Sequence, residues 1–124
     1  MRFGFAIALT TAVCLLASIP IEAHHSFAAE YDANKPVKLT GTVTKIGMAN
    51  PHSWIYLDVK DESGKTVNWK FEMAAPDSLI RRGFTIAVKV GMQVTIEGFL
   101  AKDASPTANG QKIHLPGGST MIVL

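Results

Sequence analysis

Four histidines are the residues of this 124-residue sequence best suited to chemistry: adjacent His24 and His25, His52 behind Pro51, and His114 between Ile113 and Leu115. Imidazole is a common ligand for copper, zinc and nickel. If the chain is cut after Ala23, His24 carries a free α-amino group beside its own imidazole. That amine has a reference pKa of roughly 7.7 to 8.0, so a metal displaces its proton near neutral pH. A further nitrogen from His25 or His52 would give an N-terminal brace suited to copper(II). Extended neighbours cannot easily share one metal, which makes His52, presented by the turn that Pro51 fixes, the more informative partner. His52 has a structural alternative, hydrogen bonding within its turn, and histidines at a chain end are often unoccupied. His114 reads as a solvent-facing strand residue.

Other chemistry finds less support. Glu30, Asp32, Asp58 and Glu72 could add an oxygen ligand, but no spacing marks two of them as a hydrolytic pair. Ser26, Ser53 and Ser63 lack a nucleophile elbow, and the chain has no glycine-rich phosphate loop and no close His-x-x-x-His pair. A non-enzymatic binding protein follows, with copper or another transition metal at His24, His25 and His52 as the specific expectation. The alternative is a module for a peptide, glycan or protein on the strand face of Trp54 and Tyr56, where aromatic rings stack on ligands. Burial of Trp54 as core is the structural counterpart. With 12 Lys/Arg against 10 Asp/Glu and a net charge of +2, nucleic acid is excluded as a partner.

The compartment follows from the first residues. Arg2, the apolar run Phe3 to Ile19, Pro20 and then Ile21-Glu22-Ala23 have the layout of a signal peptide, residues 1–23, cleaved after Ala23. An uncleaved anchor is the alternative. Cleavage removes Cys14, the single cysteine, so the exported chain has no thiol chemistry and no disulfide in the periplasm or outside the cell. It also leaves no membrane span. The expected partners are a metal ion, an envelope protein or a small ligand.

The elements that must position these residues are mostly strands. Residues 24–36 show no period and read as an N-terminal arm. From Val37, apolar or small Val37, Leu39, Gly41 and Val43 alternate with polar residues, the mark of a half-buried strand, with a bend at Gly41. Ile55, Leu57 and Val59 define a second strand with Trp54 and Tyr56 on its other face, near Thr40 and Thr42 if the first two strands pair. A turn at Asp61–Gly64 leads to a third strand through Val67, Trp69 and Phe71. Pro76 to Gly83 reads as one short helix whose Arg81-Arg82 pair is a solvated end, not a phosphate site. Val94, Ile96 and Gly98 mark a fourth strand, and Ile113 and Leu115 a fifth before the apolar end Met121–Leu124. The expectation is an all-β domain over 37–124 with little helix. It would be a five- to six-stranded OB-like Greek-key barrel with one short helix between strands three and four. A small β-sandwich and an SH3-like barrel remain open.

The stretches His24-His25-Ser26-Phe27-Ala28-Ala29-Glu30-Tyr31-Asp32, Asn50-Pro51-His52-Ser53-Trp54, Val67-Asn68-Trp69, Leu79-Ile80-Arg81-Arg82-Gly83 and Val94 to Asp103 belong together. In combination they resemble an uncharacterised family of secreted bacterial proteins, domain-of-unknown-function family six-one-five-two. The resemblance implies a small exported β-rich protein with no assigned activity. The sequence departs from that pattern at Met48, where a Trp is expected, and over Phe84 to Val90, where the family is more polar and turns.

Overall fold

The computed structural model describes residues 27–124. A short helix α1 (Phe27–Glu30) runs directly into β1 (Tyr31–Gly47), followed by β2 (Trp54–Lys60) and β3 (Thr66–Glu72). Two short helices, α2 (Pro76–Arg81) and α3 (Phe84–Ala87), precede β4 (Gln93–Ala101), β5 (Thr107–His114) and β6 (Thr120–Ile122). The strands form one sheet in the order β3-β2-β1-β4-β5-β6. A parallel pairing of β3 with β5, Lys70 to Glu72 against Thr107 to Asn109, closes β1 to β5 into a ring. The β-rich expectation therefore holds, and the ring closes through a short three-residue seam. Among the described residues no helix is long and apolar enough to cross a membrane.

The ring closes because β1 serves two neighbours. Its stretch from Pro36 to Thr42 pairs with Phe99 back to Gln93 on β4, and Thr42 to Gly47 pairs with Asp58 back to Trp54 on β2. The handover falls at Gly41, as its bend predicts. A Cβ there would lie 2.4 Å from the Asp58 carbonyl oxygen, so no residue with a side chain fits without moving the backbone.

Alternation then fills the interior. Val43, Ile55, Leu57, Val59, Phe71, Val94, Ile96 and Ile113 point inward and are buried. Leu79, Phe84 and Val88 from the helical segment join the same cluster. Pro76 opens α2, and Gly83 stops it in the left-handed region at φ 82°. One short helix was expected there; the structure has two. The second forms because Phe84 and Val88, four residues apart, are both buried on one side, as a helical turn requires. Likewise β1 begins at Tyr31, ahead of the start at Val37 that alternation suggests, and Phe27 to Glu30 are docked. The amide of Lys102 donates to Glu30 O at 2.8 Å, and the Phe27 ring meets Phe99 edge-on at 5.6 Å.

Candidate functional site

Where β1 starts, β2 starts and β3 ends, three polar side chains converge. Trp54 at the head of β2 stands opposite Glu72 at the end of β3. Alternation puts Glu72 on the outer face of β3, yet it is 8% exposed because the Tyr31 side chain covers it. The Tyr31 hydroxyl donates to Glu72 Oε2. Burial foremost, then this hydrogen bond and the Glu72 charge, push the Tyr31 phenol well above its ordinary range. Tyr31 therefore stays a donor and keeps the carboxylate fixed.

On the other side of Glu72 lies His52, 43% exposed at its side chain, with Nδ1 3.5 Å from Glu72 Oε1. The same Nδ1 is 3.3 Å from the carbonyl oxygen of Met73. A carbonyl oxygen only accepts, so Nδ1 carries a proton and donates to it. The backbone holds this geometry: the Ser53 amide donates to Ala74 O at 3.1 Å and the Met73 amide to Ser53 O at 2.8 Å. The result is a relay from Tyr31 through Glu72 to His52 that ends in one oriented imidazole nitrogen. Metal-binding histidines are commonly held in this way, by a carboxylate or carbonyl on the other ring nitrogen.

The remaining candidates separate clearly. His24 and His25 lie outside the described residues, as do the expected signal peptide and its expected cleavage position. Among the described residues no three His, Cys, Asp or Glu side chains come together in a group able to hold a metal. His114 is not merely solvent-facing. Its Nε2 is 2.5 Å from Glu97 Oε2 and its Nδ1 2.9 Å from Thr120 Oγ1, so both nitrogens are engaged. That hydrogen bond, ahead of the charges of His114, Lys38 and Lys112, holds the Glu97 carboxyl below its usual range. Asp58 accepts from Asn68 and Asp32 from the Asn34 amide, each at 2.9 Å, in local roles. Met48, where the resemblance expects Trp, is half-buried against the core.

Trp54 and Tyr56 sit on the outer face of β2, half-buried, while Ile55 and Leu57 fill the core. Their cross-strand neighbours on β1 are Gly47 and Lys45, further along the strand than Thr40 and Thr42. Lys70 Nζ lies 5.1 Å from the Trp54 ring centroid and Lys45 Nζ 5.3 Å from that of Tyr56, both within cation–π range. Trp54, Tyr31, Lys70, Lys102 and Thr107 line a surface groove of about 660 Å³. Lys70, Ser105 and Thr107 continue into a smaller depression of about 290 Å³ that Tyr56 and Asn68 line.

Sequence reasoning did not single out Tyr31, Lys70 or the particular role of Glu72. The available signal was a buried-type aromatic opening β1 and an acid at the end of a strand. Nothing local says that the two meet across 41 residues.

The molecule is thus a small closed β-barrel carrying a histidine beside a buried tyrosine–glutamate pair. Over residues 12–111 the chain matches a family of unknown function, DUF6152, and it belongs to that family. Comparison with curated proteins finds no match.

Proposed function

We propose that this chain is an exported, non-enzymatic binding protein that takes copper or another transition metal. The ligands are the amine and imidazole of His24 after cleavage behind Ala23, with His52 or His25 adding a further nitrogen. The observation that carries the reading is the His52 ring, whose Nδ1 is held by Met73 O and lies beside Glu72. Chain geometry is compatible with it. The Phe27 ring packs tilted against Tyr31, the residue that holds Glu72, with centroids 5.7 Å apart, so the described chain starts beside this relay. The three residues from His24 to Phe27 span at most roughly 10 Å when extended. His52 is thus a ligand in this reading, while Glu72 and Tyr31 are positioning residues.

The test is electron paramagnetic resonance of the copper(II)-loaded protein with 15N-labelled histidine. Superhyperfine coupling to at least two nitrogens is expected, reduced by one in His52→Ala. Glu72→Gln should keep the nitrogen count and weaken binding by about 10- to 100-fold, as loss of an outer-shell partner does. An identical spectrum and affinity in His52→Ala would refute the role of His52.

A second reading rests on the groove beside Trp54. The closed ring of five strands, with helices between the third and fourth, supports assigning the barrel to the oligonucleotide/oligosaccharide-binding type. Such barrels use the face of strands two and three with the adjoining loops for extended ligands. Here that face carries Trp54, Tyr56 and Lys70, which would stack on and pair with a glycan, peptide or protein segment.

A further inference from the structure

Two groups of exposed large apolar side chains among the described residues lie on segments that one arginine joins. Ile80, Ile86 and Val90 belong to the α2–α3 segment and the residues after it, and Ile86 and Val90 are 82% and 62% exposed. Ile122 and Leu124, also exposed, lie at the C-terminal strand. Arg82 ties the two groups together, its Nη1 donating to Ile122 O at 3.2 Å and to Leu124 O at 2.9 Å. Within the first group the chain turns tightly, with the Gly83 amide donating to Ile80 O at 3.0 Å and the Ile86 amide to Gly83 O at 3.2 Å. Single apolar residues scattered over a surface are ordinary, whereas exposed apolar side chains on two segments held together mark an interaction site.

The charges around these tips decide what they meet. The segment carries Arg81, Arg82 and Lys89 against one acid, Asp77, which pairs with Arg81 at 3.2 Å. Lys112 stands opposite Ile122 across the β5–β6 ladder. Apolar points inside a cationic rim suit a surface that is negative outside and apolar beneath. Ile86 stands out from a helix of four residues, so its side chain is a point and not part of a flat face. A fluid bilayer admits such a point anywhere, while a protein partner needs a matching pocket.

We propose that this end of the barrel docks on an anionic phospholipid surface. Ile86 and Val90 enter the boundary between headgroups and acyl chains, and the charges of Arg82 and Lys89, whose side chains are held by backbone carbonyls, lie beside the lipid phosphates. Binding of this kind combines buried apolar area with attraction to anionic lipid. Each Lys or Arg near such a surface contributes about a fivefold gain in affinity. The device is separate from the His52 relay and does not depend on metal.

The experiment is co-sedimentation of the full chain with vesicles of phosphatidylglycerol and phosphatidylcholine, or of phosphatidylcholine alone. Ile86→Asp and Lys89→Gln are run in parallel, so that any binding carried by residues 1–26 is common to all. The expected result is binding to the anionic vesicles that weakens in salt and falls about tenfold or more in Ile86→Asp. Lys89→Gln should lose about fivefold. Ile86→Asp should leave the melting temperature unchanged, since Ile86 is solvent-facing, and Lys89→Gln should lower it by no more than the loss of one exposed hydrogen bond, Lys89 Nζ to Thr85 O. Equal binding by the chain and Ile86→Asp would overturn the proposal, as would equal binding to neutral and anionic vesicles. Self-association that Ile86→Asp abolishes, with no vesicle binding, would overturn it in favour of a second copy of this chain.

Discussion

Replacing Tyr31 by Phe removes one hydroxyl and leaves the ring against Phe27, so it isolates the hydrogen bond to Glu72. Tyr31 is 4% exposed and Glu72 8%, so water does not replace the hydroxyl without opening the strand ends. A hydrogen bond to a charged group contributes about 1.5–3 kcal/mol. In a domain of this size that lowers the melting temperature by roughly 6–20 °C at pH 7. The same bond has a pH signature. Burial first, then donation to Glu72 and the charges of Glu72, Glu30 and Asp103, raise the folded-state phenol pKa above its ordinary value of 10.0. The unfolded chain releases that proton above pH 10 while the folded chain keeps it. The stability contribution is therefore fully present below pH 10 and is lost as pH rises further, by about 1.4 kcal/mol per unit. Urea unfolding of both proteins between pH 7 and 11 reads this directly: the gap between them is widest at pH 7 and narrows above pH 10. A Tyr31→Phe protein melting within about 3 °C of the parent, or a gap unchanged at pH 11, would refute the reasoning.

Three further outcomes follow from other parts of the molecule. Gly98→Ala would place a Cβ 2.0 Å from Asn109 O where β4 and β5 shift register, so the backbone must move. A loss of about 3 kcal/mol in urea unfolding is expected, and a loss below about 1 kcal/mol would contradict it. Asp61 is held below its ordinary pKa of 3.8 by the Ser63 hydroxyl first and by the amides of Lys65, Ser63 and Gly64. Its contribution is present above pH 3.8 and disappears as pH falls through the lowered value, so Asp61→Asn flattens the acid side of the stability profile; a carboxyl carbon titrating at or above 3.8 by NMR would be contrary. Tyr56→Ala, on the outer face opposite Lys70, leaves copper binding unchanged while weakening any oligosaccharide or peptide held in the groove, as read by tryptophan fluorescence.

Strands were legible where one face is buried and the other wet. Val37 to Val43, Ile55 to Val59 and Val94 to Gly98 keep a strict period of two, and each inward set lies where alternation puts it. The beginning of β1 was not legible because Asp32 to Pro36 have no period and their pairing with β4 shifts register between Tyr31 and Pro36. The second helix was hidden by its composition. Thr85, Ile86 and Val88 are β-branched and favour strands locally, and burial of Phe84 with Val88 decides otherwise. His52 could be found from its type and its turn. Its partners could not, because Glu72 reads as a solvent-facing residue until Tyr31, far away in sequence, covers it.

Whether the His24 amine is a ligand is decided by a calorimetric copper(II) titration of the naturally processed protein beside a form carrying one extra residue before His24, both termini verified by mass spectrometry. One-to-one binding is expected that is lost in the extended form and weakened in His52→Ala. Binding of equal strength in the natural and extended forms would contradict it and turn attention to the groove of Trp54 and Tyr56.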